Sequence, residues 1–302
     1  MPPASLKVHP LWSVAVMFTA PLLLGCLLAP WIYQGVPALQ GERFERVASR
    51  TVQVLALLMI WPCMRWAGAG PEIARGLGWS GARARRFRDG FLTGLLSIAA
   101  CYGLGLGLGA YKPEVEHYTA GLPFVLLGFL STAFFVGWLE EIFFRVFFQG
   151  SLRTRWPRWA TVLLVSAVFA ALHFFRPRVN PPITQPDGFS GFALLPHLFA
   201  LFEPDRDLYF AATLFLMSLA LALYYEREGH LYHVAGLHMG WVLMLQAGDH
   251  LVDRVPGVHD AWFGQGDLIS RAPAALPVIA LFVVAALLAL PKPRQGSTKN
   301  GS

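Results

Sequence analysis

Two adjacent carboxylates, Glu140 and Glu141, and a guanidinium, Arg145, stand inside an apolar run, with Phe134, Phe135 and Val136 before them and Val146, Phe147 and Phe148 after. An ionised side chain in such a setting is expensive unless it is paired or faces a wet cavity, so it marks chemistry by default. Helix geometry sorts the three. Neighbouring residues point about 100° apart, so the two carboxylates cannot face the same place. Glu141 and Arg145 are four apart, stacked on one face and able to form an ion pair. Glu140 has no local cation and is the carboxylate free to act as a general base.

Two histidines complete the set. His173 ends the apolar run 159–175, and His238 lies in the run 231–247. The basic turn Arg153–Arg158 joins the runs that carry Glu140 and His173. Glu140 lies about 20 Å of helix rise before that turn, and His173 about 22 Å after it. His238 climbs about 18 Å from Glu226. Three helices thus deliver Glu140, His173 and His238 to one depth, as a single site requires. His230, His233 and His250 fall near the ends of the seventh run and read as interfacial.

The elements that must position these groups are membrane helices. The chain has 302 residues, 55% hydrophobic and 14% charged, with a mean hydropathy of +0.50. Ordinary soluble domains carry about 25% charged residues. Runs at 11–29, 52–66, 91–110, 122–148, 159–175, 208–225, 231–247 and 274–290 make about eight spans, the second and seventh being short for the task. The expected fold is all-α, a polytopic membrane helix bundle with an intramembrane site. Three N-terminal spans (1–120) precede a catalytic core (121–250), and a last span with a polar tail follows (251–302).

The net charge of +6 is no nucleic-acid footprint, because it gathers beside the spans. Arg75, Arg83, Arg85, Arg86 and Arg88 crowd one connection, and Arg153, Arg155 and Arg158 another. The positive-inside rule puts both in the cytoplasm. With eight spans, Lys7 and the tail residues Lys292, Arg294 and Lys299 join them, so both termini are expected to be cytoplasmic.

Other features read as structural. Leu23-Leu24-Gly25-Cys26 mimics a lipoprotein cleavage box, but its apolar run is longer than a signal peptide's, so it is read as an ordinary first span. Cys26, Cys63 and Cys101, an odd number in apolar runs, are expected to be buried thiols. Gly103, Gly105, Gly107 and Gly109 alternate within a span and are expected to serve close helix packing. The proline-rich segment between the fifth and sixth spans cannot be one helix. Its piece 192–202 is too short to cross, and His197 there reads as a surface residue. No internal repeat of the inverted-transporter kind is visible.

The charged and histidine motifs resemble those of the CPBP family, the CAAX prenyl proteases and bacteriocin-processing enzymes, also called the ABI family. EExxxR is matched by Glu140, Glu141 and Arg145, and FxxxH by Phe169 and His173. The third motif, HxxxN, is matched by His238 alone, since Val242 stands where the family has Asn. In many relatives the first motif continues FRG, whereas here Val146 follows Arg145. The resemblance covers about residues 120–248. It implies an intramembrane endopeptidase acting on a membrane-associated protein or peptide, in which Glu140 activates water with His173 and His238. Glu141, Arg145 and Phe169 would support the site.

Family labels allow a Zn²⁺ held by Glu140, His173 and His238, yet there is no HExxH helix. A metal-free glutamate mechanism is the preferred reading. The expected setting is the lipid bilayer of a bacterial inner (plasma) membrane, with no nucleic-acid partner. The alternative is a noncatalytic scaffold, ligand-binding or proton-relay protein using the same Glu/His cluster, which the loss of the Asn at Val242 favours.

Overall fold

The computed structural model describes residues 10–66, 76–78, 80–117, 119–153, 155–175, 177–200, 202–264, 268 and 273–288. Among them, eight helices of 13 residues or more follow the eight apolar runs in order. They are α1 (Pro10–Gly35), α2 (Phe44–Trp66), α3 (Gly81–Gly107), α4 (Leu122–Glu141), α5 (Arg158–His173), α6 (Pro204–Glu228), α7 (Tyr232–Leu251) and α8 (Leu276–Leu288). Helix α4 runs on without a break through a π-helical stretch, Ile142–Gln149, to Arg153. The chain is an all-α membrane helix bundle. Lys7, Arg75, Lys292, Arg294 and Lys299 lie outside the described residues.

Among the described residues, five helices are long and apolar enough to cross a membrane by themselves, the α4 span being taken to Arg153. Helix α2 is one of them, because it begins at Phe44, upstream of the apolar run. The short helices are instead α5 and α8. Helix α7 has 20 residues, but polar side chains such as His233, His238, Gln246 and Asp249 dilute its apolarity. It tolerates them because it is the most enclosed helix, with Val234, Ala235, Leu237 and Trp241 fully buried. The outer surface is the reverse of a soluble protein's: Leu58, Leu96, Phe124 and Leu288 are more than half exposed, as lipid contact requires.

The arginines before the third span are helical, not part of a loop. Ser80 accepts the N–H of Arg83 at 3.2 Å and caps α3, so Arg83, Arg85, Arg86 and Arg88 occupy its first turns. Arg86 reaches Glu228 at 3.6 Å and Arg153 reaches Glu226 at 3.0 Å, both carboxylates at the end of α6. The two basic clusters therefore share one end of the bundle.

The glycines that set helix packing are also not those the alternating run suggested. Open space surrounds Gly103, Gly107 and Gly109, and Gly109 has a positive φ that serves the turn after α3. Only Gly105 in that run is tight, under Tyr111. The close approach comes from Gly90 and Gly94 on α3 meeting Gly236 and Gly240 on α7. A Cβ at Gly236 would lie 2.1 Å from the Phe87 carbonyl oxygen, and one at Gly240 2.3 Å from that of Phe91. Two small-xxx-small pairs let the backbones touch where lipid offers no hydrophobic drive between helices. This is the most extensive helix interface in the bundle.

A small antiparallel ribbon ties the far ends of α3 and α7, with Tyr111 opposite Arg254 and Pro113 opposite Val252. Cys26, Cys63 and Cys101 are all buried free thiols, and Cys26 lies within the unbroken α1. The segment after α5 forms a 3-10 turn at Phe192–His197 that leaves His197 exposed. Gly191 rests on the backbone of Cys26, which docks this segment on α1.

A methyl group at Gly240 must push α3 and α7 apart, whereas one at Gly107 meets nothing within 4 Å. Gly240→Ala should therefore destabilise the protein by about 1–3 kcal/mol or more, and Gly107→Ala should be near neutral. Thermal unfolding in detergent, followed by circular dichroism, measures both.

Candidate active site

The site starts from a register. Phe144 in the π-helical stretch packs edge-on against Phe169 of α5, with ring centroids 4.9 Å apart. The two helices run in opposite directions, so the residues one turn farther from their connection, Glu140 and His173, stand at one level. Phe169 also meets both imidazoles, that of His238 on α7 with ring centroids 6.0 Å apart and that of His173 at 4.6 Å.

Glu141 and Arg145 form the expected pair at 2.8 Å, both without exposure. The pair is larger than expected, because the second oxygen of Glu141 accepts Nδ1–H of His238 at 2.9 Å. The other end of the guanidinium, Nη2, donates to Ser218 Oγ of α6 at 3.0 Å. Glu141 thereby joins α4 to α7, and Arg145 joins α4 to α6. The interaction continues down α4: Gln149 donates to the Ala222 carbonyl at 3.1 Å and to Glu226 at 3.0 Å, where Arg153 also binds.

Along this π-helical stretch Glu141, Arg145 and Gln149 all keep contact with α6 or α7. Insertion of extra residues per turn is a recurrent feature of functional helices.

Glu140 differs from its neighbour in every respect. It is only partly buried, yet its Oε2 is shielded from solvent and has no hydrogen-bond partner. It lies close enough to His238 for their charges to interact. Each histidine has its Nδ1 engaged: His173 donates from Nδ1 to the Phe169 carbonyl at 2.8 Å, and His238 to Glu141. Both therefore keep Nε2 for a substrate or a water molecule. The backing groups differ, being a neutral carbonyl for His173 and a carboxylate for His238.

Residues 122–244 match the family model for type II CAAX prenyl endopeptidase Rce1-like proteins. This core is similar to that family. No curated protein and no solved structure matches the chain. The family agrees with the CPBP resemblance of the motifs, and the general activity is that of a CAAX-type intramembrane endopeptidase.

All six residues singled out in sequence lie in the Rce1-like core, and Phe169, His173, Glu141, Arg145 and His238 form one contact chain. Sequence reasoning missed the link from Glu141 to His238 and the serine behind Arg145. A polar residue on α6 in an otherwise apolar stretch, Met217-Ser218-Leu219, was the one available signal for the latter. Val242 is half-buried, and its carbonyl accepts from the Gln246 amide at 3.2 Å.

A catalytic zinc takes three protein ligands. Among the described residues, no three His, Cys, Asp or Glu side chains gather closely enough to hold a metal ion. Glu140, His173 and His238 as they stand do not make that set.

His250 lies against Phe129, and His233 Nδ1 donates to the Arg86 carbonyl at 3.3 Å. His230, in the turn between α6 and α7, is 13% exposed and 3.7 Å from Glu228. Burial, outweighing Glu228, pushes its pKa below the ordinary 6.5.

Two outcomes follow from these charges. Arg145→Met leaves Glu141 buried and without its cation, so it should cost about 3–5 kcal/mol. Arg153→Met breaks a partly exposed pair and should cost about 0–1 kcal/mol. Denaturation in detergent distinguishes them. For His230 the folded state favours the neutral ring, so its contribution is complete above about pH 6.5 and is lost as pH falls below it. The unfolding temperature should drop on acidification, and His230→Gln should remove part of that slope.

Proposed function

We propose that this protein cleaves a peptide bond of a membrane-associated protein or peptide within the bilayer, with Glu140 as general base. The observation that carries this reading is the orphaned Glu140 Oε2, a shielded carboxylate oxygen with no protein partner. It stands level with His173, within charge range of His238. Buried polar atoms are nearly always satisfied, so an unsatisfied one beside two histidines suits a group that binds water or substrate.

The backing of each histidine divides the remaining work. His173, held by a carbonyl, offers a lone pair at Nε2 and accepts a hydrogen bond from the attacking water to orient it. Glu140 takes the other proton of that water as its oxygen attacks the scissile carbonyl. His238, backed by the Glu141 carboxylate, takes up a second proton from solvent at Nε2 before the attack. Its Nε2–H then donates to the oxyanion, a role that Val242 cannot fill. Glu140 next returns its proton to the leaving amine. The mechanism is metal-free, in keeping with a donor set that is not gathered into three ligands.

Residues 121–250 are the catalytic core in this reading, with 1–120 and 251–302 as flanking membrane segments. The basic end of the bundle faces the cytoplasm by the positive-inside rule, in a bacterial inner membrane with both termini cytoplasmic.

Glu140→Gln keeps size and hydrogen bonding but cannot take a proton. Purified protein in detergent should cleave members of a membrane-peptide library that includes prenylated CAAX-type peptides. The variant should lose about 100-fold or more in kcat with KM little changed. A chelator should leave wild-type cleavage intact. Unchanged cleavage by Glu140→Gln would sink the mechanism, and loss on chelation would replace it with a metal site.

A further inference from the structure

The guanidinium of Arg145 is wholly buried and has one firm partner on each side. Nε donates to Glu141 at 2.8 Å and Nη2 to Ser218 at 3.0 Å, while Nη1 has no partner. Ser218 is itself fully buried, among Leu214, Met217, Leu221 and Ala222 of the same helix. Other buried hydroxyls serve their own helices: Thr213 donates to the Tyr209 carbonyl and Ser166 to that of Val162, each at 2.8 Å. Ser218 instead receives a cation from another helix.

We propose that Ser218 is a positioning residue of the site: it fixes the Arg145 guanidinium, and through Glu141 it holds His238 as the Nδ1–H tautomer. The proposal rests on the reading of His238 as a working residue. Its physical basis is the fork of the guanidinium, which presents several donors in one plane. With Ser218 in place, one edge is anchored on α6 and Nε alone meets Glu141. Glu141 Oε1 is then left for His238. Without the serine, two guanidinium nitrogens lack partners, and the fork can turn to grip both carboxylate oxygens. That bidentate arrangement competes with His238 for its acceptor. The imidazole would lose the hydrogen bond that sets its tautomer and its aim.

The test reads His238 directly. Full-length protein with ¹⁵N-labelled histidine is examined by ¹⁵N–¹H correlation NMR in detergent micelles, and His238 is assigned by the signal lost in His238→Gln. Above the pH at which His238 takes its second proton, wild type should show a single Nδ1–H tautomer. Ser218→Ala should shift or mix that tautomer, and Ser218→Thr, which keeps the hydroxyl, should restore it. Thr213→Ala, which removes a buried hydroxyl from the same helix without touching Arg145, should leave His238 unchanged. In the cleavage assay Ser218→Ala should lose up to about 100-fold in kcat, with KM held.

A His238 signal identical in wild type and Ser218→Ala overturns the proposal. So does an equal disturbance by Thr213→Ala, which would mark a general packing effect. The NMR result stands whether or not Glu140 is the base. Unchanged cleavage by Glu140→Gln therefore refutes the mechanism alone, and an unmoved His238 refutes the role of Ser218 alone.

Discussion

A carboxylate and a guanidinium without solvent exposure, at membrane depth, leave little freedom to the structure around them. Glu141 and Arg145 must find their partners within the protein, because lipid offers none. Their partners come from three helices: His238 from α7, Ser218 from α6, and each other along α4. Removing any one leaves buried charge or a buried donor uncompensated. The interaction thus specifies how three helices meet as well as holding them together. The packing around it, Phe144 on Phe169 and Phe169 against two imidazoles, is arranged about that fixed point.

The helix winding and the glycine interface serve the same constraint from different sides. The π-helical stretch carries Arg145 and Gln149, which with Glu141 find partners on α6 and α7. Gly90 and Gly94 bring α3 into backbone contact with α7, so that the helix carrying His238 is gripped along its length. A rigid α7 makes the reach from His238 to Glu141 reproducible, and a preorganised hydrogen bond is what a catalytic imidazole requires. Glu140 Oε2 has no partner, whereas both oxygens of Glu141 are engaged. One turn of helix thus holds a carboxylate committed to structure and, in the proposed mechanism, one left for chemistry.

The absence of an Asn at position 242 acquires a physical sense in this arrangement. An oxyanion needs a donor, and an imidazole backed by a carboxylate can become one. The network that stabilises the bundle would then also prepare His238 to carry charge. Structure and proposed catalysis draw on the same three residues, and changes to Glu141 or Arg145 act on both.

Much of this was legible from the amino-acid order, and for local reasons. Backbone geometry alone puts Glu141 beside Arg145 and turns Glu140 away, and counting rise from a basic turn brings Glu140 and His173 to one depth. Apolar runs announce helices because lipid excludes other backbone structures. The limits were equally physical. The alternating Gly103–Gly109 run looked like a packing stripe, yet the stripe that packs is Gly90 and Gly94 against Gly236 and Gly240. Small residues do not declare which neighbour they will meet. The hydrogen bond from His238 to Glu141 joins positions 97 residues apart, and that from Arg145 to Ser218 spans 73. Spacing along a helix is set by the chain itself. Contacts between helices depend on how whole surfaces fit, which only the tertiary structure decided.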